Sequence, residues 1–171
     1  MARRSLLRLC VLAAAGALGV GAAFAVAGPI LRSAKDPKLG PIVVNAKGLT
    51  LYAVSSERGG KLKCTGNCVY FWFPVLVSGK AKPIAGQGLS QAKIGTIKRP
   101  NGALQVTYAK LPLYRYYLDR KPGQAKGQGV KDPSGTWYVV STSGKVVTRA
   151  PGGSGGTSTS ETTTTSGGIG Y

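Results

Sequence analysis

The chain reads as a small, mostly β protein: a single domain of two tandem, duplicated β-hairpin units, with no long helices in the mature chain. Three observations predict this. The 26 glycines and 10 prolines among 171 residues break up any long-helix architecture. Apolar residues come in short alternating runs between turn signals, and no stretch sustains a helical period between caps. Two stretches resemble each other in fixed order, the signature of a repeated supersecondary unit.

Residues 1–27 have the order of an export signal. Arg3, Arg4 and Arg8 make a basic start, an apolar run follows from Leu9, and Ala25-Val26-Ala27 supplies an A-x-A cleavage site. Cleavage after Ala27 leaves Gly28 as the mature N-terminus. A retained membrane anchor is the alternative, because Leu9 to Ala27 is nearly long enough to span. Arg3-Arg4 followed by Leu6-Leu7 also fits a twin-arginine signal, so both that route and the general secretory route are open. Cys10 follows Arg8 and Leu9, where a lipobox needs small residues, and is expected to leave with the signal.

Residues 28–38 read as a linker and 39–149 as the folded unit. Residues 150–171, Gly/Ser/Thr-rich with almost nothing apolar to bury, read as a disordered tail. Within the folded unit the two copies run from about 39–77 and 94–141. "KGLTLYAVSSERGG" aligns with "AKLPLYRYYLDRKPG", which sets Tyr52 against Tyr114, Val54 against Tyr116 and Glu57 against Asp119. Trp72 in "FWFPVLVSG" then matches Trp137 in "TWYVVSTSG". Each copy opens on a hairpin pattern, the first turning at Asn45–Gly48 and the second at Pro100-Asn101-Gly102. A third hairpin turns at Ser143-Gly144.

The charge is lopsided. Lysine and arginine number 23 against 5 acids, a formal +18. Such a field attracts nucleic acid, anionic lipid or acidic envelope polymer. Export and the lack of any nucleic-acid-reading motif set nucleic acid aside. Histidine is absent, which excludes His-based triads and histidine metal sites. No cofactor is implied.

The most informative segment is "LPLYRYYLD", Leu111 to Asp119. Strand alternation puts Tyr114 and Tyr116 on one face and Leu113, Arg115 and Tyr117 on the other. Asp119 falls where the strand must end, before the turn sequence Arg120–Gly123. There it is expected to accept backbone amide bonds and fix the turn. Glu57, its longer counterpart, is expected to contribute less, having more side-chain entropy to lose. The other reading makes the tyrosines and Asp119 a ligand or acid–base site.

Tyr114-Arg-Tyr116-Tyr-Leu-Asp119 resembles the signature of an exported repeat family of unknown function, the predicted lipoproteins with a Yx(FWY)xxD motif. The family's C-x-x-x-C-x-x-x-W-x-P pattern is present as Cys64, Cys68, Trp72 and Pro74. The first copy departs from the signature at Val54 and Glu57, and no lipobox is present. The resemblance implies fold and location, with no settled chemistry.

Without Cys10, the mature chain keeps two cysteines four residues apart, and an exported protein with one such pair is expected to join Cys64 to Cys68. A loop so short stabilises by about 2 kcal/mol in the chain-entropy account, and should hold the turn that aims Trp72 inward. The chain is therefore read as a non-catalytic, secreted or envelope-associated module, with an anionic envelope polymer or lipid surface as its partner. The alternative is a redox- or metal-associated envelope protein using the cysteine pair or the Tyr/Asp motif. A wall-glycan hydrolase ranks last, since Glu57, Asp119 and Asp132 are its only carboxylates in the predicted domain.

Overall fold

A computed structural model describes residues 30–79 and 81–149. The expected export signal, residues 1–27, and the expected disordered tail, residues 150–171, lie outside these residues. Twelve short strands follow one another. They are β1 (Ile30–Asp36), β2 (Gly40–Asn45), β3 (Tyr52–Val54), β4 (Trp72–Pro74), β5 (Leu76–Val77) and β6 (Ile84–Ala85), then β7 (Ile94–Lys98), β8 (Leu104–Tyr108), β9 (Leu111–Pro112), β10 (Tyr114–Tyr116), β11 (Lys131–Asp132) and β12 (Gly135–Val139). The protein is mostly β, as its glycines and prolines predict, and among the described residues its helical turns are 3-10 segments of at most five residues.

The strands form three sheets. The central one has the order β11-β12-β3-β10-β4; β1 lies between β2 and β6 in a second; β8 pairs with β5, β7 and β9 in a third. The β7–β8 hairpin turns through Pro100-Asn101-Gly102 as expected, closed by Arg99 N–H donating to Ala103 O at 2.8 Å. The Ser143-Gly144 turn is present too, with Gly144 N–H donating to Ser141 O at 2.9 Å.

Residues 30–36, read as linker, are instead the longest strand. β1 pairs antiparallel with β2 from Leu31↔Asn45 to Asp36↔Gly40, and parallel with β6. The reason is local. Asp36 Oδ1 accepts the amides of Lys38 and Leu39, both at 2.8 Å, and Gly40 takes φ of +80°, so "DPKLG" makes a hairpin turn. Leu31 is fully buried behind it.

Strand alternation divides the interior in two. Leu51 and Ala53 of the β3 segment join Leu113, Val43, Val106 and Tyr108 in an aliphatic core. Their neighbours Tyr52 and Val54 point the other way, with Tyr114, Trp72 and Trp137, into an aromatic one. Leu113 and Tyr114 part company in the same manner. The central sheet thus holds a greasy face and an aromatic face, and the sequence motifs lie on the second.

Candidate functional site

The aromatic core is built by register. β10 sets Tyr114 opposite Tyr52 on one side and Tyr116 opposite Trp72 on the other, while β12 sets Trp137 opposite Val54. The outer strands thereby bring the two tryptophans together. Their rings stack at 3.8 Å with an interplanar angle of 7°. Tyr116 lies 4.3 Å from Trp72, and Tyr52 and Tyr114 meet the stack edge-on at 5.5 and 5.0 Å. Gly127 closes the group from outside: a β-carbon there would come within 2.8 Å of Trp72 and 3.0 Å of Tyr52.

The hydroxyls are held crosswise. Tyr52 donates to Asp119 Oδ2 at 2.5 Å, and Tyr114 donates to Glu57, lying 3.0 and 2.9 Å from its two oxygens. Each acid therefore serves the tyrosine of the other stretch. Asp119 also accepts the Lys126 amide at 3.0 Å, so it does bind backbone, though farther along the chain than the adjoining turn. Residues 120–124 are closed instead by Gln124, whose Oε1 accepts the amides of Arg120 and Lys121. Glu57, expected to contribute less than Asp119, is held by more hydrogen bonds than Asp119 is. It is completely buried, and Oε1 also takes the amides of Lys63 and Cys64 at 2.6 and 2.7 Å.

Asp132, Arg99 and Gln105 complete the network. Asp132, weighed above only as a hydrolase carboxylate, uses Oδ2 to accept both indole N–H groups, from Trp72 at 2.9 Å and Trp137 at 2.8 Å, while Oδ1 accepts the Ser134 amide. Arg99, just before the Pro100-Asn101-Gly102 turn, is buried, and its guanidinium donates to Gln105 Oε1 and to the Cys64 carbonyl. Gln105, fully buried, passes the chain of bonds on to the Leu113 carbonyl at 2.8 Å. The signal for Asp132 in the sequence is its place at the tight turn of "KDPSGTW", paired with Gly135 and five residues before Trp137.

Cys64 and Cys68 are joined, with Cα atoms 5.2 Å apart. The bridge spans the start of the Gly66–Tyr70 turn that leads into β4 and the buried Trp72. Burial, chiefly, raises the Asp119 carboxyl above its ordinary value, against the opposing pull of the Tyr52 and Lys126 bonds. Burial, reinforced by Asp119 and by Glu57 respectively, also lifts the Tyr52 and Tyr114 hydroxyls far above the usual phenol range. These tyrosines stay protonated and donating. The arrangement is a brace: the carboxylates at its centre have their oxygens occupied by hydroxyls, indoles and amides. Among the described residues no three His, Cys, Asp or Glu side chains gather as metal ligands.

The segment that supplies Tyr114, Tyr116, Asp119, Asp132 and Trp137 has a counterpart among known families. Residues 95–141 match the Lipoprotein_15 family. That family is described as a secreted repeat of unknown function, in keeping with the resemblance carried by Tyr114, Tyr116 and Asp119 and with an exported protein. The matched residues fall within the 94–141 stretch, while Tyr52, Glu57 and Trp72 lie outside them. No curated protein and no solved structure matches the chain. Among the described residues, no helix is long and apolar enough to cross a membrane.

Proposed function

We propose that the mature protein is a non-catalytic module of the cell envelope or its surroundings, and that it binds anionic envelope polymer through its basic surface. One observation carries this. Every exposed charged side chain among the described residues is a lysine or arginine. Asp36, Glu57 and Asp119 are buried and Asp132 is half-buried, each engaged in hydrogen bonds, so the acids brace the interior and leave the exterior to cations. An unbroken cationic exterior is suited to a polyanion, where many weak contacts add along one chain. The tandem duplication belongs to the same proposal. Its support is the register that places Tyr52 opposite Tyr114 and the two tryptophans on the strands outside them.

The test is titration with a soluble polyanion at several salt concentrations. Affinity should fall steeply as salt rises. An association indifferent to salt, or none at low salt, defeats the proposal. A second reading, redox work in the envelope, rests on the Cys64–Cys68 bond. It requires that the natively purified protein cycle between dithiol and disulfide with a partner, which thiol counting before and after reduction measures.

A further inference from the structure

The aromatic brace has an outer side. Asp132, which holds the two indoles from within, also lines a surface cleft of about 700 Å³, whose walls include Lys63, Thr65, Asn67, Phe71 and Ser134. A volume of this order suits a small-molecule or single-residue subsite. The wall chemistry is mixed in an informative way. Phe71 is 50% exposed, so an aromatic ring of the cleft wall stands partly in solvent. The Phe71 ring is nonetheless fixed, meeting Tyr117 edge-on at 5.4 Å, and its backbone is tied at both ends, N–H to Cys68 O and O to the Tyr117 amide. The same cleft is lined by a lysine, an amide and a hydroxyl. Among the described residues, no hydrogen bond within the protein engages the Lys63 ammonium, the Asn67 amide or the Thr65 hydroxyl.

We infer that this cleft binds one acidic sugar residue of a glycan, with the pyranose C–H face on Phe71, its hydroxyls on Asn67 and Thr65, and its carboxylate on Lys63. A rigid, half-exposed aromatic ring offers a face to the weakly polarised C–H bonds of a pyranose, and the amide and hydroxyl match its ring hydroxyls. Lys63 supplies the charge. Asp132 lines the same cleft, but three N–H dipoles, from Trp72, Trp137 and Ser134, point at its oxygens and offset part of its charge, and the Lys63 ammonium supplies the cation that the ligand's carboxylate meets. The inference rests on the polymer-binding proposal above and narrows it to a sugar polymer with a defined subsite.

Two probes of matched charge separate the two ideas: oligogalacturonate, an acidic sugar chain, and inorganic polyphosphate, which has charge and no sugar. Each is titrated against the secreted protein and against Phe71→Ala, Asn67→Ala and Lys145→Gln variants. Near-UV circular dichroism confirms that each variant keeps its fold. Phe71→Ala should weaken oligogalacturonate about tenfold, the loss of one good ring contact, and leave polyphosphate within about twofold. Asn67→Ala, an exposed substitution, should act in the same direction and serves if Phe71→Ala fails to fold. Lys145→Gln, far along the chain in the Ser141–Lys145 turn, should weaken both probes alike. Oligogalacturonate should also shift the tryptophan emission, since the carboxylate that holds both indoles forms part of the cleft wall. If both probes bind and neither Phe71→Ala nor Asn67→Ala distinguishes them, the sugar subsite is overturned and polymer binding by charge stands. If neither probe binds the unaltered protein, both are overturned.

Discussion

The crossed pairing of tyrosines and acids can be measured as an energy. Asp119 is 3% exposed and accepts the Tyr52 hydroxyl at 2.5 Å. Tyr52→Phe leaves the ring edge-on to Trp72 and removes only the hydroxyl, a donor to a buried charged group worth about 2 kcal/mol. Asp119→Asn keeps the size but replaces one of two acceptor oxygens with an N–H2 donor, so the Tyr52 hydroxyl loses its acceptor while the Lys126 amide keeps one, at a similar cost of about 2 kcal/mol. Because the two changes remove the same bond, the double variant should lose about 2.5 kcal/mol rather than the sum, a coupling of about 1.5 kcal/mol. Tyr114 and Asp119 belong to one motif but share no hydrogen bond among the described residues, since Tyr114 donates to Glu57. Tyr114→Phe with Asp119→Asn should therefore be additive within about 0.5 kcal/mol. Urea unfolding of the singles and doubles supplies every value. A Tyr52–Asp119 coupling below about 0.5 kcal/mol, or a larger one between Tyr114 and Asp119, would show that the acids serve their own motifs and that the crossed reading is mistaken.

Alkali should expose the same pairs. The native state holds the Tyr52 and Tyr114 protons more tightly than the unfolded chain does, so stability should fall as pH rises through about 10, and Tyr52→Phe with Tyr114→Phe should flatten that decline in urea midpoints. Asp119 has the same sign at the acid end: its folded carboxyl titrates above the unfolded one, so its share of stability is greatest at low pH and is lost as pH rises above about 4, a slope that Asp119→Asn should lack. Asp132→Ala strands two indole N–H groups and should cost about 2 to 3 kcal/mol, with the near-UV circular dichroism of the stacked rings weakened. Deleting residues 30–36 should leave no cooperative thermal transition, because β1 is the middle strand of its sheet and Leu31 is wholly buried; an unchanged melting temperature would restore the linker reading.

What the sequence revealed and what it concealed divide by distance along the chain. Turns announced themselves, since Pro100-Asn101-Gly102 and Ser143-Gly144 carry their own backbone chemistry. The shared face of Tyr114 and Tyr116 followed from a period of two, and the cysteine pair from its spacing. The crossed bonds lie 67 and 57 residues apart, and no local pattern encodes them. β1 escaped notice because "ILRSAKD" mixes polar and apolar residues as a linker does, and its place between β2 and β6 is set by distant partners. Arginine is usually a surface residue, and only the buried neighbours of Arg99, Gln105 and the Cys64 carbonyl, reveal otherwise. For Glu57 the entropy of a longer side chain can be read from its name, whereas the hydroxyl and amides that meet it cannot.

The crossing also sets how the two motifs can drift. The length of each acid is fixed by the gap to the opposite tyrosine rather than by the spacing inside its own motif, so a glutamate at 57 and an aspartate at 119 are two answers to two gaps. A change at Tyr114 should be compensated at position 57, and a change at Tyr52 at position 119, because those are the groups each hydroxyl meets. Substitutions that rescue one another should lie in opposite halves of the chain, and a consensus drawn from either half alone averages over partners that it does not contain.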